Sequence, residues 1–252
     1  MFDMPSPRFI AVSILAAAGW TVAYILPGWA TGAAIRLPLP EGFWPQAGVV
    51  AASVAIMLGL SINSTLRHHR NATLMIGGLS LALVGAVFIG YPYLKEFDEG
   101  LMALVQENRS STLDAVAVMV TRLGDFTTQV FAGTVLTLLL LACRQWRHGV
   151  FVGATLLCTA LVNTAGKWFF ARIRPDVLHE PLTTFSMPSG HSSASFAFFL
   201  ALAVLAGCRQ PPRMRLTWFL LASLPAASIA LSRVYLGVHW PTDILAGALL
   251  AT

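Results

Sequence analysis

GVFVGATLLCTALVNTAG, residues 149–166, decides the fold class. These 18 positions hold no Asp, Glu, Lys or Arg; His148 bounds them on one side and Lys167 on the other. About 17–25 apolar residues carry a helix across a bilayer. Six more uncharged stretches match it: 9–35, 42–66, 71–94, 126–143, 192–208 and 216–232. The chain is 56% hydrophobic and 11% charged, with a mean hydropathy of +0.71. Seven such runs in 252 residues leave no sequence for a water-soluble core. The class is therefore all-α and polytopic in a membrane. A final apolar run, 244–252, is too short to span, so the expectation is an incomplete last helix.

The composition removes other classes. The first apolar run is longer than a signal-peptide core and lacks a convincing cleavage site, so it reads as an anchor. Cys143, Cys158 and Cys208 sit inside apolar runs without metal-ligand spacing, which makes them small packing or lipid-facing residues. The net charge is +5, but 14 of the 16 basic residues are arginines scattered over short loops. Membrane topology accounts for them, and no nucleic-acid partner is expected. Three basic loops stand out: Arg67 to Arg70, Arg144 to His148, and Arg209 to Arg215. If each apolar run crosses once, all three lie on one side, which the positive-inside rule makes cytoplasmic. Loops 92–125, 167–190 and 233–242 then face outward. Within 95–125, Ser110-Ser111-Thr112 reads as a helix start. Leu113, Val116, Val120 and Leu123 follow at helical spacing. Asp114 and Arg122 interrupt this helix, so it reads as half-buried or interfacial.

Three polar clusters interrupt the apolar chain on the outward side: Lys167 to Pro175, Pro188 to His191, and Ser232 to Asp243. They read K-x6-RP, PSGH and SR-x5-H-x3-D. Pro175 disfavours helix at Arg174, so the chain should leave the membrane there as a loop. A guanidinium grips two phosphate oxygens at once, and lysine adds a point charge. Arg172 reads as a side chain snorkelling at the bilayer edge. Ser189 can cap the following helix, whose first free amides form an anion site. Gly190 permits close backbone approach. His191 is of the right type for general acid–base work. Pro241 suits a first helical turn, and Asp243 four residues after His239 shares its face. A carboxylate on one imidazole nitrogen leaves the other free as a nucleophile. Each cluster alone is also consistent with an ordinary turn or an interfacial pair. Their ordered combination asks for phosphate chemistry.

These motifs resemble the type 2 phosphatidic acid phosphatase (PAP2) family over roughly residues 95–252. The resemblance implies a metal-independent, cofactor-free lipid phosphatase with a six-helix core, of which the last helix is incomplete here. It implies that Lys167, Arg174 and Arg233 bind phosphate with Ser189 and the Gly190 amide. His239 would attack phosphorus, Asp243 would orient it, and His191 would serve the leaving group and then water. Residues 1–90 read as additional transmembrane helices and 91–252 as the phosphatase domain. Arg8-Phe9, Ala18-Gly19-Trp20, Ala23-Tyr24 and Leu26-Pro27-Gly28 resemble the end of a DedA-family protein, which suggests a DedA–PAP2 fusion. The expected enzyme sits in a bacterial plasma membrane with its site on the periplasmic or extracellular side. Undecaprenyl diphosphate is the favoured substrate; phosphatidic acid, phosphatidylglycerol phosphate and lipid A phosphate are the alternatives. A lipid transporter would place charges mid-span, which 149–166, 192–208 and 216–232 lack. A vanadate haloperoxidase shares the motif but is soluble.

Overall fold

The structure, a computed structural model, describes residues 39–66, 72–175 and 183–251, together with Gly32. The DedA-like segment lies outside the described residues. The described chain is helical: α1 (Phe43–Leu66), α2 (Ala72–Gly90), α3 (Lys95–Glu107), α4 (Ser111–Arg122), α5 (Phe126–Ala142), α6 (Trp146–Phe170), α7 (Gly190–Gly207), α8 (Pro212–Tyr235) and α9 (Pro241–Leu250). A 3₁₀ turn, Tyr91–Leu94, joins α2 to α3. Among the described residues, five helical segments are long and apolar enough to cross a membrane, or six if α4 and α5 form one span bent by 41°. The described residues from Pro40 onward make one compact unit.

The distribution of residue types is inverted relative to a soluble protein. Leu138, Leu139, Phe131, Leu157, Leu161, Leu220 and Leu224 are exposed, whereas Ser192, Ser193, Ser195, Asn163, Thr159, His239 and Asp243 are buried. In lipid, apolar side chains have no reason to turn inward, and helices associate through close packing and internal hydrogen bonds. Helix α7 is built for this. Its buried face is Ser192, Ser193, Ser195, Ala197, Ala201, Ala203 and Gly207, small enough for α6, α8 and α9 to approach closely. Helix α8 tolerates Pro225 in its interior, as membrane helices do where neighbours re-satisfy the backbone. Helix α2 packs on α1 and α9, and α1 also meets α3 and α8. Ser110 caps α4, its side chain accepting from Leu113 N at 3.3 Å. The segment 95–125 is therefore two helices, with the charged Lys95–Glu99 stretch forming the start of α3. Cys143, Cys158 and Cys208 are all exposed.

Candidate active site

Backbone termini bring the three polar clusters together. Helix α6 ends at Phe170, four residues later than the apolar run, so Lys167 sits in its last turn. Ala171 stops the helix in a left-handed conformation, φ 44°, and its N–H donates to Lys167 O at 3.0 Å. Helix α8 closes with a Schellman turn on Gly237. Gly237 has φ 69°; its N–H donates to Val234 O at 2.9 Å, and Val238 N donates to Arg233 O at 3.1 Å. That turn ties Arg233, in the last helical turn, to His239 just beyond it. Trp240 is the N-cap of α9 and Pro241 occupies the first turn, where its missing N–H costs nothing. Asp243 Oδ2 accepts from Trp240 N at 2.9 Å.

His239 lies at the centre and is 2% exposed. Its Nδ1 is 3.4 Å from Asp243 Oδ2, close but without the alignment of a hydrogen bond. Its Nε2 accepts from Arg174 Nη1 at 3.2 Å, which assigns the proton to Nδ1 and leaves an Nε2 lone pair among the cations. Burial, then the positive fields of Arg174, Lys167 and Arg233, hold this imidazole well below its ordinary range, so it is neutral at physiological pH. Arg174 is fixed on several sides. Its Nε donates to Thr184 O at 2.7 Å, Nη1 to Val238 O at 2.6 Å, and Nη2 to Thr184 Oγ1 at 2.8 Å. Lys167 Nζ donates to Phe185 O at 2.6 Å, and Arg233 Nη1 to Thr121 Oγ1 at 2.9 Å.

The PSGH segment forms the opposite wall. Ser189 is the N-cap of α7, its side chain accepting from Ser192 N at 3.4 Å. Ser189 N donates to Asp243 O at 3.0 Å and Ser192 Oγ to Ile244 O at 2.7 Å, so the loop is tied to α9. Gly247 completes the seam. A Cβ there would lie 2.6 Å from Ser189 O and 2.9 Å from Ser192 Cβ. Asn163 Nδ2 on α6 donates to Ser193 Oγ at 3.0 Å. His191 pairs through Nε2 with Asp125 Oδ1 at 3.0 Å, and Gly124 leaves room for its ring: a Cβ there would approach His191 Cδ2 to 3.0 Å.

Arg172 does not snorkel. It donates from Nη2 to Asp98 Oδ2 at 2.7 Å, and from Nη1 to Asp243 Oδ1 at 2.8 Å and Thr242 Oγ1 at 2.7 Å. The Tyr91 and Trp240 rings lie 4.7 and 5.5 Å from its guanidinium carbon. Two buried carboxylates draw the side chain inward, and an unpaired pair would be costly in their place. Its neighbours Trp168, Phe169 and Ile173 are instead strongly exposed, at 74%, 82% and 80%. The K-x6-RP segment thus turns its cations inward and an apolar rim outward.

The structure brings Lys167, Arg174, Ser189, Gly190, His191, Arg233, His239 and Asp243 to one end of α6, α7, α8 and α9. Sequence reasoning missed Asp98, Thr121, Asp125, Asn163 and Thr184. Each acts across 10 to 144 positions of chain, and none carried a local signal except Asp125, which follows Gly124 at the α4–α5 break. Among the described residues no group of three or more His, Cys, Asp or Glu is placed to hold a metal ion.

Residues 148–252 match the family model of the PAP2 superfamily. An undecaprenyl-diphosphatase from Sulfolobus acidocaldarius is 29% identical over 165 residues, covering 62% of this chain and 74% of that protein. Phosphatidylglycerophosphatase B from Bacillus subtilis is 35% identical over 92 residues, covering 34% of this chain and 44% of that protein. The chain thus spans under half of the second relative's length. The crystal structure of a transmembrane PAP2-type phosphatidylglycerolphosphate phosphatase from Bacillus subtilis superposes with a TM-score of 0.62 at 23% identity. That superposition covers 69% of this chain and 92% of the other. The apolar helices and this shared fold make the chain an integral membrane protein, and the family match with its phosphatase relatives makes it a phosphatase.

Proposed function

We propose that this membrane phosphatase hydrolyses a lipid phosphate or diphosphate through a phosphohistidine on His239. One observation carries the reading: a buried neutral imidazole has Asp243 beside Nδ1 and a guanidinium on Nε2. Arg174, Lys167 and Arg233 hold the phosphate oxygens, helped by Ser189 and the Gly190 amide at the start of α7. His239 Nε2 attacks phosphorus, and the P–O bond to the leaving alcohol or phosphate breaks. His191, steadied by Asp125 and protonated as the anionic substrate binds, gives that leaving oxygen its proton. Neutral His191 then takes a proton from water, whose oxygen attacks the phosphohistidine, releasing phosphate and restoring His239. Phosphate oxygens replace the carbonyl and imidazole partners that Arg174 and Lys167 hold in the free protein.

The favoured substrate is a polyprenyl diphosphate such as undecaprenyl diphosphate, acted on at the outer face. The name of the Sulfolobus relative and its 74% coverage support the substrate. The side is supported by Arg144, Arg147, His148 and Arg209, which line one cleft at the ends of α6 and α7 away from Lys167 and Ser189. A DedA-like N-terminal partner would raise the effective concentration of the monophosphate product at a second site.

The test is phosphate release by purified full-length protein in one detergent with EDTA, over polyprenyl diphosphate, phosphatidic acid, phosphatidylglycerol phosphate and lipid A phosphate. Release should persist in EDTA, orthovanadate should inhibit, and the polyprenyl diphosphate should have the highest kcat/KM. Strict dependence on added Mg²⁺ would overturn the mechanism. A preference of about tenfold, roughly 1.4 kcal/mol, for phosphatidic acid would end the substrate assignment alone. H239A retaining more than about a tenth of wild-type turnover would remove the nucleophile. Glu180→Cys should react with an impermeant thiol reagent in intact cells and Gln210→Cys only after lysis; the reverse would move catalysis to the cytoplasm.

A further inference from the structure

The mechanism leaves two charges without a task, the buried Asp98 on α3 and the partly buried Arg172 after α6. We propose that both are positioning residues for His239, acting through Asp243; this rests on the reading of His239 as the nucleophile. Asp98 lies outside residues 148–252, so the matched family segment does not contain it.

Geometry is the basis. Each oxygen of Asp243 has its own donor: Oδ1 takes Arg172 Nη1 at 2.8 Å, and Oδ2 takes Trp240 N at 2.9 Å while facing His239 Nδ1. The carboxylate cannot rotate without losing one of them. Arg172 is itself immobilised, because Asp98 Oδ2 holds Nη2 at 2.7 Å and Tyr91 and Trp240 flank its plane. Asp98 grips the backbone as well, accepting from Thr242 N at 2.9 Å and Thr242 Oγ1 at 2.6 Å. It therefore fixes the residue immediately before Asp243. A helix from the N-terminal half thereby fixes the start of α9.

Charge is the second part of the argument. Arg172 and Asp243 alone would form a neutral pair with little field at the imidazole. Asp98 adds a second negative charge, so the three groups carry a net charge of −1. When His239 Nε2 bonds to phosphorus with Nδ1 still protonated, the ring becomes cationic. A nearby net negative charge stabilises that state more than the neutral ground state. Arg172 is not placed as a phosphate ligand. Nη1 and Nη2 are committed to Asp98, Thr242 and Asp243, and it meets Asp243 on the oxygen that does not face His239.

Asp98→Asn removes the charge and keeps the shape, so it is the central variant. Full-length D98N in the same detergent should lose kcat by about 10–100-fold, the range of coupling within one hydrogen-bonded network, with KM within about twofold. Single-turnover quench should show the loss in formation of the phosphohistidine, not in its hydrolysis. R172Q should lose at least as much, and the losses of D98N and R172Q should combine less than additively in D98N/R172Q, because part of the effect of Asp98 on Asp243 runs through Arg172. If R172Q does not accumulate as a folded protein, R172K, which keeps the charge, replaces it in the cycle. A loss confined to KM, additive losses, or D98N with wild-type kcat would each overturn the proposal. Those outcomes with an inactive H239A leave the nucleophile standing, whereas an active H239A removes the nucleophile itself.

Discussion

Gly247→Ala tests whether the seam between α7 and α9 sets catalytic geometry. The added methyl would sit 2.6 Å from Ser189 O, 2.9 Å from Ser192 Cβ and 3.2 Å from Ser193 N. Ordinary contact begins near 3.4 Å, so the carbonyl must retreat by 3.4 − 2.6, or 0.8 Å. Two of the three obstacles are backbone atoms, and they cannot swing away as a side chain end would. The retreat strains two bonds across the seam, Ser189 N to Asp243 O at 3.0 Å and Ser192 Oγ to Ile244 O at 2.7 Å. Overpacking of this kind costs about 1–3 kcal/mol. The effect on turnover should be larger than the effect on stability. In the proposed mechanism Ser189 and Gly190 carry one wall of the phosphate site and Asp243 orients His239, and a displacement near 1 Å can cost on the order of 10²-fold. Thermal unfolding and kcat/KM of G247A should be measured in one detergent beside Gly85→Ala, whose new methyl meets nothing within 4 Å. G85A should match wild type in kcat/KM. If G247A also matches wild type in both measurements, the seam does not position the phosphate site.

Arg174→Lys should lose about 100-fold or more in kcat/KM despite keeping its charge. An ammonium cannot serve Thr184 O, Thr184 Oγ1, Val238 O and His239 Nε2 together; activity within about threefold of wild type would contradict this. His239, faced by Arg174, Lys167, Arg233, His191 and Asp243, is held below the ordinary histidine range. Its folded-state proton affinity is therefore lower than in the unfolded chain, and the stability it contributes is present above about pH 6.5 and lost as the pH falls below it. ¹⁵N NMR of histidine-labelled protein, assigned against H239A, should show a neutral ring at pH 6; half-protonation near 6.5 would refute the assignment. Asp125→Ala should slow substrates with poor leaving groups about tenfold more than those with good ones, because it steadies the His191 acid. Equal losses would make Asp125 a packing residue.

Local signals in the sequence survived into the structure, and long-range ones did not exist to be read. Ser110 and Ser189 cap helices where the chain suggested, Pro241 opens α9, and the i,i+4 spacing brings His239 and Asp243 to 3.4 Å. Each depends on a few neighbouring residues. Arg172 was misread because an arginine at a helix end has an ordinary explanation at the bilayer edge, and its true partners lie 71 and 74 positions away. Asp98 looked like one of several charges at the head of α3; only the tertiary fold separates it from exposed Lys95 and Glu99, which pair with each other. Gly247 carried no signal, since its role is the absence of a side chain at a close approach.

The exposed rim of Trp168, Phe169 and Ile173 beside the inward-turned cations changes how a rate for this enzyme must be expressed. Apolar side chains of this size favour the bilayer interface, so the proposed phosphate clamp is held at the depth where lipid head groups lie. The search for substrate is then lateral diffusion in two dimensions, with the lipid tail remaining in its leaflet while the head group enters the clamp. The governing concentration is the mole fraction of substrate in the surface, not its molarity in the tube. Adding inert detergent at fixed bulk substrate should slow the reaction in proportion to surface dilution, and a water-soluble phosphate monoester should escape that dependence.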